Sequence, residues 1–447
     1  MSVYKIKDQL RKSVESKQPT VHFYCETCQI EIPAGENRCQ HCDESSVLEY
    51  HNLDVEQQIK DLFKDEHFCK LVMKETESSK DGQLADIRDG SEYRKLLCDQ
   101  SDFQPSNTVQ LSFLLNTDGV AVYSSSKKGS LWPVYLAINE LPIALRFSRR
   151  YLLPCLLFCQ SEKPNMQTYL ASLMQTLDRF QKGIEIDTFL GKKFVKGLLL
   201  AVCVDLPARA MVLNMKQFNG KYGCNVCHAE GETQPNCPLH RYYPVGESSQ
   251  RTHKSMVNDV RTAVQSGQAV RGMKGGSALL ALKHVDLSKI CPIDWMHCVL
   301  LGVVKALLKL WLCPSHKNRS FYIGDKIALM DRRLLHIQVP DFIARQPSSI
   351  AEHAHWKATE CREWLIHFSI PVLRGLLKYP VSVHYFLLVY AMSLLTKEVV
   401  TVEDISVAED MLTDFCTVFP DIYGELVMLL SLIANHFQSK IMEICII

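Results

Sequence analysis

The sequence has no hydrophobic run of membrane length, no apolar segment at its start and no excess of either charge. Its most apolar candidate, residues 296–312, is interrupted by Lys305 and Lys309, which favours an amphipathic or buried helix over a membrane span. Residues 1–17 are polar and charged, whereas a secretory signal needs an apolar core. We therefore expect an intracellular protein that does not bind membranes.

The small net charge limits how this protein could bind nucleic acid. Fifty basic and 49 acidic residues leave a formal charge of +1, whereas DNA-binding proteins usually carry a larger positive excess. Any contact with phosphates must therefore use a few local cations. The candidates are Lys127, Lys128, Arg146, Arg149, Arg150 and Arg209.

Cysteine is abundant, with 18 residues in a chain of 447. Without a secretory signal, this number indicates a reducing compartment and thiols available for metal binding. The length allows two or three domains. Changes in composition predict a disordered segment over 1–20, a zinc-ribbon-like module over 21–50, a helical linker over 51–108, a core over 109–290 and a helical part over 291–447.

Apolar periodicity predicts mainly strands between residues 109 and 204 and mainly helices after residue 291. Strands are predicted over 109–115, 120–123, 132–138, 152–159 and 196–204. Residues 166–180 have helical spacing, so strands and helices together predict an α/β sheet with covering helices. Further helices are predicted over 296–312, 324–335, 358–368, 381–395 and 402–417.

Two CxxC pairs near the start have the spacing of a closed zinc site. Cys25 and Cys28 form the first pair, and Cys39 and Cys42 follow after ten residues. Each pair turns two thiolates toward one point, and four thiolates complete a tetrahedral structural Zn²⁺ site. The alternative is a reduced loop of thiols without a ligand.

A second cluster of metal-ligand residues follows the predicted core strands. Cys224-x-x-Cys227 is followed by Cys237-x-x-His240, which predicts a Zn²⁺ site with three cysteines and one histidine. Two alternatives remain open. The cysteines form a buried pair without metal, or His228 or a distant residue completes the ligand set.

Two aspartates close apolar runs and are the main catalytic candidates. Asp118 follows the run that begins at Leu111, and Asp205 follows the run that begins at Gly197. An acidic residue at the end of a buried strand lies at a sheet edge, where it can bind a divalent cation. Singly, each is better explained as a turn residue or a helix cap.

Other polar candidates lie in the predicted helical part. Asp294 and His297 are three residues apart at the start of a helix, so they share a face. Asp294 is also a plausible N-cap, and His297 could be a core histidine. Glu360 and Glu363, again three apart, are candidates for a third metal-binding carboxylate, with a solvated helix face as the alternative.

Several motifs occur in a consistent order along the chain. They are Asn116-Thr-Asp118-Gly-Val, Trp132-Pro-Val-Tyr-Leu-Ala-Ile-Asn139-Glu140-Leu-Pro142, Asp205-Leu-Pro-Ala-Arg209, Tyr222-Gly-Cys224-x-x-Cys227, Arg241-Tyr-Tyr-Pro244, Asp294-Trp-Met-His297 and Pro371-Val-Leu-Arg-Gly. Together they resemble the core of CACTA-type (En/Spm) cut-and-paste DNA transposases, from about residue 87 to residue 423. The order of several motifs makes the resemblance specific.

The resemblance implies an RNase H-like mixed sheet interrupted by a helical insertion. It implies a DDE-type triad of Asp118, Asp205 and a third acid, Glu360 in preference to Glu363, with His297 in the signature before the third acid. Mg²⁺ would serve catalysis. The implied partner is DNA, the implied compartment is the nucleus, and homo-oligomers are expected.

The chain also departs from the family. Family members continue well beyond the position of Tyr423, and this sequence has no long basic arm. A domesticated or truncated protein whose transposase activity is lost is therefore a second expectation. The alternative function is a zinc-containing DNA- or chromatin-binding protein without enzymatic activity on the same fold.

Overall fold

The computed structural model describes most of the chain. The described residues are 19–36, 38–44, 46–74, 82–98, 107–121, 130–234, 237–243, 248–343 and 345–424. The predicted disordered segment 1–20 therefore lies outside the description, except for Pro19 and Thr20.

The chain forms two compact units that interleave along the sequence. The first contains residues 1–76, 96–202 and 277–285. The second contains residues 77–95, 203–276 and 286–447. The first unit carries the main sheet, and the second is largely helical.

The described strands lie mainly in the first half of the chain. They are β1 (Thr20–Cys25), β2 (Glu31–Ile32), β3 (Val47–Asn52), β4 (Gln83–Leu84), β5 (Thr108–Thr117), β6 (Val120–Ala121), β7 (Ser130–Ile138), β8 (Leu153–Gln160), β9 (Ile184–Thr188), β10 (Gly191–Cys203), β11 (Glu232–Gln234), β12 (Cys237–Tyr242) and β13 (Val400–Thr401).

The two longest described α-helices are the last two. They are α1 (Val55–Leu62), α2 (Glu66–Met73), α3 (Ser91–Cys98), α4 (Ile143–Arg146), α5 (Met166–Tyr169), α6 (Ala171–Lys182), α7 (Leu206–Val212), α8 (His253–Ser266), α9 (Lys305–Leu312), α10 (Ile327–Leu335), α11 (Ala358–Glu363), α12 (Ser369–Leu373), α13 (Val381–Leu395) and α14 (Val402–Tyr423).

Other helical turns complete the secondary structure. Two π-helical segments are Met296–Val304, which leads into α9, and Trp364–Phe368, which follows α11. The 3-10 turns are Ile87–Asp89, Ala278–Ala281, Pro314–His316, Gly324–Lys326 and Ile350–His355. The helices predicted after residue 291 are therefore confirmed, with π-helical geometry inside two of them.

The main sheet of the first unit is mixed and has nine strands in the order β2-β1-β3-β8-β7-β5-β10-β9, with β6 beside β7. Strands β5, β7 and β8 form consecutive antiparallel pairs. The strands of the cysteine module belong to the same sheet, because β3 pairs with β8 through Tyr50, His51 and Asn52. The mixed α/β class predicted from the sequence is confirmed.

Helix α6 covers the sheet with one apolar face. Its buried residues recur at helical spacing. They are Leu173, Met174, Leu177 and Phe180. The Phe180 ring meets the Phe113 ring of β5 at 6.2 Å, edge to face. A Cβ at position 197 of β10 would lie 2.5 Å from the Phe113 ring and 3.2 Å from the Phe180 Cβ, so glycine is needed for this close approach.

The second unit is built around aromatic contacts between its long helices. Trp311 of α9 is fully buried and meets Tyr385 of α13 edge to face at 4.8 Å. Its indole N–H donates to the Tyr423 hydroxyl at the end of α14, at 3.2 Å. Two short antiparallel pairs, β4 with β13 and β11 with β12, also lie in this unit. Of the helices that the structure describes, none is long and apolar enough to cross a membrane.

A buried histidine joins α13 to α14. His384 is 2% exposed, and its Nε2 lies 2.7 Å from the carbonyl oxygen of Phe415. Its ring stacks on the Phe415 ring at 4.2 Å. Burial lowers the pKa of His384 to about 4, although the bond to Phe415 opposes the shift.

We expect acid to weaken the protein through His384. The unfolded chain binds a proton near pH 6.5 and the folded chain only near pH 4, so stability falls as pH drops between these values. The loss is about 3 kcal/mol from this group. His384→Gln keeps an N–H donor and should remove most of that loss in denaturant titrations at several pH values. An unchanged pH dependence in His384→Gln, or an equal change in the exposed control His355→Gln, would contradict this role.

Candidate metal centres

The four cysteines of the N-terminal module converge on one point. The sulfurs of Cys25, Cys28, Cys39 and Cys42 all lie within 4.8 Å of one another. The separations are 3.4 Å between Cys25 and Cys42 and 3.4 Å between Cys28 and Cys39. Tetrahedral zinc with bonds of about 2.3 Å requires sulfurs roughly 3.8 Å apart. The predicted four-cysteine cluster is therefore present, and it can hold a metal ion such as zinc.

The two CxxC turns share one backbone hydrogen bond and one left-handed residue. Gln29 N donates to Cys25 O, and Asp43 N donates to Cys39 O, each at 2.9 Å. Gln29 and Asp43 both adopt left-handed backbone angles, with φ of 61° and 57°. Backbone N–H groups after each first cysteine hold the pKa of Cys25 and Cys39 below the usual thiol value, that of Cys39 at about 6. Such groups favour thiolates, the form that binds metal.

The second cluster is described only in part. Cys224 and Cys227 are buried, with their sulfurs 3.4 Å apart. The backbone of Cys237 begins β12 and pairs with Gln234 of β11. The side chains of Cys237 and His240 lie outside the described residues, so this ligand set stays a prediction.

Buried charges hold the Cys224–Cys227 turn. Arg251 donates from Nε to the carbonyl oxygens of Cys224 at 2.9 Å and Cys227 at 3.0 Å. Its side chain is fully buried, and Asp259, 2% exposed, lies 3.9 Å away. Asp259 also pairs with Arg271. The hydrogen bond between the Cys224 and Cys227 sulfurs lowers the pKa of Cys227 to about 6, and the charge of Arg251 acts in the same direction.

Asp118 lies directly after β5 and is exposed. Gly119 N donates to its Oδ1 at 2.7 Å. The turn is tight, because a Cβ at position 119 would lie 2.6 Å from the ring of Trp132. The turn role that the sequence allowed for Asp118 is therefore seen, and the carboxylate still reaches solvent.

Asp205 lies two residues after β10 and caps α7. Its Oδ1 accepts a hydrogen bond from Ala208 N at 2.7 Å. The capping alternative named from the sequence is therefore present. An N-cap bond uses one carboxylate oxygen and orients the group, so capping does not by itself exclude metal binding.

Asp294 and His297 contact each other as their spacing predicted. Asp294 Oδ1 accepts from Met296 N at 2.8 Å, at the start of the π-helical segment. Its Oδ2 is hydrogen-bonded to His297 Nδ1. The carboxylate therefore orients the imidazole of His297, which is half-buried rather than in the core.

The two candidate glutamates of α11 have different surroundings. Glu360 accepts from Ser348 Oγ at 2.6 Å and from Lys357 N at 2.8 Å. Burial alone would raise the pKa of Glu360, but these bonds and the charges of Arg345 and Lys357 outweigh it and lower the pKa. Glu363 is paired with Arg362 at 2.7 Å.

Two of the predicted phosphate-binding cations, Arg146 and Arg209, are buried. Arg146 is fully buried and donates to the carbonyl oxygens of Asn139 and Leu141, and Arg209 is 3% exposed. Neither can reach DNA in this fold, so that prediction was wrong. Arg149 is exposed, and Arg150 is exposed but pairs with Asp65. Lys127 and Lys128 lie outside the described residues.

A family comparison covers the sheet and both cysteine clusters. The profile of DUF1258, described as a protein of unknown function, matches residues 11–275, more than half of the chain. The chain belongs to the DUF1258 family. A comparison with curated proteins finds no match. The DUF1258 match contains Asp118 and Asp205 but ends before His297 and Glu360.

One element of this DUF1258 chain, the buried pair of Arg251 and Asp259, has no signature in the sequence. Both are charged residues without a motif, and charged residues are almost never fully buried unless they are paired. In the sequence, Asp259 lies within α8 and Arg271 follows the end of that helix at Ser266. No local signal distinguishes them from surface residues, because Asp259 pairs with arginines eight and twelve residues away and Arg251 donates to carbonyl oxygens more than twenty residues away.

We expect metal removal to open the four-cysteine module first. Among the described residues, the buried cluster around its thiols contains only Cys25, Ile32 and Cys39, so metal bonds would supply much of its stability. Chelation, or Cys39→Ser without chelator, should make the segment 21–50 the earliest site of proteolysis, read by mass spectrometry of the fragments. Cys159→Ser, which changes an exposed cysteine elsewhere, should not. Resistance of 21–50 after verified metal loss would contradict the prediction.

We expect metal analysis to find a second zinc equivalent at the Cys224 cluster. Cys227→Ser should remove that equivalent and leave the first, whereas Cys39→Ser should do the reverse, because the sites use separate ligands. Elemental analysis of the purified variants measures both. A single equivalent in the unmodified chain, lost in Cys39→Ser, would leave Cys224 and Cys227 as a buried thiol pair.

Proposed function

We propose that this chain is a transposon-derived protein of the CACTA type, with an RNase H-like sheet and DDE-type chemistry on DNA. The strand order β8-β7-β5-β10 supports the fold. Three consecutive antiparallel strands lie side by side, and β10 joins them beside the first, β5, after a connection through α5 and α6. This is the order expected of an RNase H-like sheet.

The proposal rests mainly on how the start of β5 pairs with the start of β10. Phe194 N donates to Asn107 O at 3.2 Å, and Asn107 Nδ2 donates to Lys192 O, so both strands begin together. Neighbouring strands that begin together run in the same direction. Asp118 and Asp205 each lie eleven residues beyond the paired residues Asn107 and Phe194. Both carboxylates are thus expected where neighbouring strands end.

Two such carboxylates suit a metal-dependent phosphodiester reaction. Mg²⁺, when bound, would polarise the phosphate and activate water or a DNA 3′-hydroxyl for in-line attack. Asp118 supplies an exposed anionic group, which the Gly119 N–H holds in one orientation. The Ala208 N–H orients Asp205 in the same manner. Each carboxylate would offer oxygen ligands to the metal.

The remaining predicted groups keep narrower roles. Glu360 remains the proposed third acid; both of its oxygens accept hydrogen bonds, so metal binding would exchange at least one of them. His297, oriented by Asp294, would contact a phosphate or the third acid. Structural zinc is the proposed occupant of the four-cysteine module. Residence in the nucleus follows from the proposed DNA substrate.

We expect Asp118→Asn to abolish nicking of supercoiled DNA in Mg²⁺ or Mn²⁺. Asp205→Asn should do the same, because asparagine caps a helix as well as aspartate but carries no charge. Asp205→Ala should in addition cost about 1 kcal/mol of stability. Gel assays of nicking and thermal unfolding measure the two effects separately.

Asp187→Asn provides the matched control, because Asp187 is exposed on β9. Equal nicking by Asp118→Asn and the unmodified chain would reject the assignment. If the unmodified chain binds DNA in fluorescence anisotropy but shows no metal-dependent nicking, the non-enzymatic DNA-binding alternative replaces the enzyme.

A further inference from the structure

The second unit contains a cavity of about 390 Å³. Its walls come from α10, α11, the π-helical segment after α11 and the chain between α10 and α11. The volume lies within the range of small-molecule sites, roughly 300–1,000 Å³. The cavity therefore has room for a ligand of one or two rings.

The floor of the cavity is apolar and preformed. Leu334, Trp356, Trp364 and Phe368 line it, and each is no more than 5% exposed. The two indole rings lie 5.7 Å apart with a tilt of 53°, so they form two faces of one corner. Aromatic faces in this arrangement bind flat apolar groups.

One aromatic side chain stands at the rim. The Phe342 side chain is 75% exposed although it also lines the cavity. Its ring lies 5.9 Å from the ring of His367. An exposed phenylalanine beside an apolar cavity loses contact with water when a ligand fills the space, which adds to binding.

The charges around the cavity favour an anion. Glu363 is neutralised by Arg362 at 2.7 Å, and the oxygens of Glu360 already accept two hydrogen bonds. Arg345 and Lys357 also line the cavity and are exposed. Within the described part of the chain, neither has a carboxylate at ion-pair distance. The cavity lining therefore has two cations, Arg345 and Lys357, and one carboxylate, Glu360, that forms no ion pair at contact distance among the described residues.

From these features we infer that the cavity binds a small amphipathic anion. Its ring system would lie against Trp356 and Trp364, and its single carboxylate, sulfonate or phosphate group would meet Arg345 and Lys357. Glu360, the proposed third acid, also lines this cavity. Probe binding needs neither metal nor DNA, so its outcome is read separately from that of the proposed DNA cleavage.

Two fluorescent probes that differ only in the anionic group test the inference on the full chain. Anilinonaphthalene sulfonate carries the charge, and phenylnaphthylamine is the same ring system without it. The sulfonate should bind with micromolar affinity. The double variant Arg345→Gln/Lys357→Gln should weaken the sulfonate about fivefold to tenfold and the neutral probe less than twofold, since partly exposed ion pairs contribute modestly.

A third variant tests the position of the ring system. Thr359 is exposed and lines the cavity, so Thr359→Trp should fill it and weaken both probes at least tenfold while leaving the buried floor intact. The control Lys317→Gln/Arg319→Gln removes two exposed cations elsewhere and should change neither probe.

The inference is overturned if Thr359→Trp leaves both affinities unchanged, if the cavity and control double variants act equally, or if the charge variant weakens both probes alike. Thermal unfolding verifies that each variant is folded. The Arg345→Gln/Lys357→Gln comparison needs no change in the core, so it decides the question even if Thr359→Trp does not fold.

Discussion

Burial of the central strands is the constraint on which the rest of the first unit depends. Residues 111–115 of β5 and 197–202 of β10 are almost entirely shielded from water, and none carries a charge. An ionised group in such a strand would lose its hydration without a partner. Charged side chains can therefore appear only where these strands end. Asp118 and Asp205 occupy those positions, and this is why they remain the strongest candidates for chemistry.

The same sheet explains how a small cysteine module becomes part of a larger structure. The buried cluster around the four thiols contains only Cys25, Ile32 and Cys39 among the described residues, and metal bonds would hold the two turns together. Pairing of β3 with β8 then gives the module a continuous backbone connection to the sheet. We infer that the module stabilises this side of the sheet.

The helical unit follows a different principle. Its stability comes from aromatic packing around Trp311 and from polar groups that find single buried partners, as His384 does with Phe415. Polar groups in such a core are tolerated when each has a hydrogen bond. In the cavity beside Trp356 and Trp364, a large apolar lining meets exposed cations.

Sequence alone determined the features that depend on local spacing. The two CxxC pairs, the strands before Asp118 and Asp205, the contact of Asp294 with His297 and the long helices were all readable, because neighbours in sequence decide them. Only the tertiary structure decided that Arg146 and Arg209 are buried, that Arg251 supports the second cysteine turn and that β3 joins β8. These outcomes depend on partners far away in the chain, and no local pattern records which distant backbone or side chain will meet a given charge.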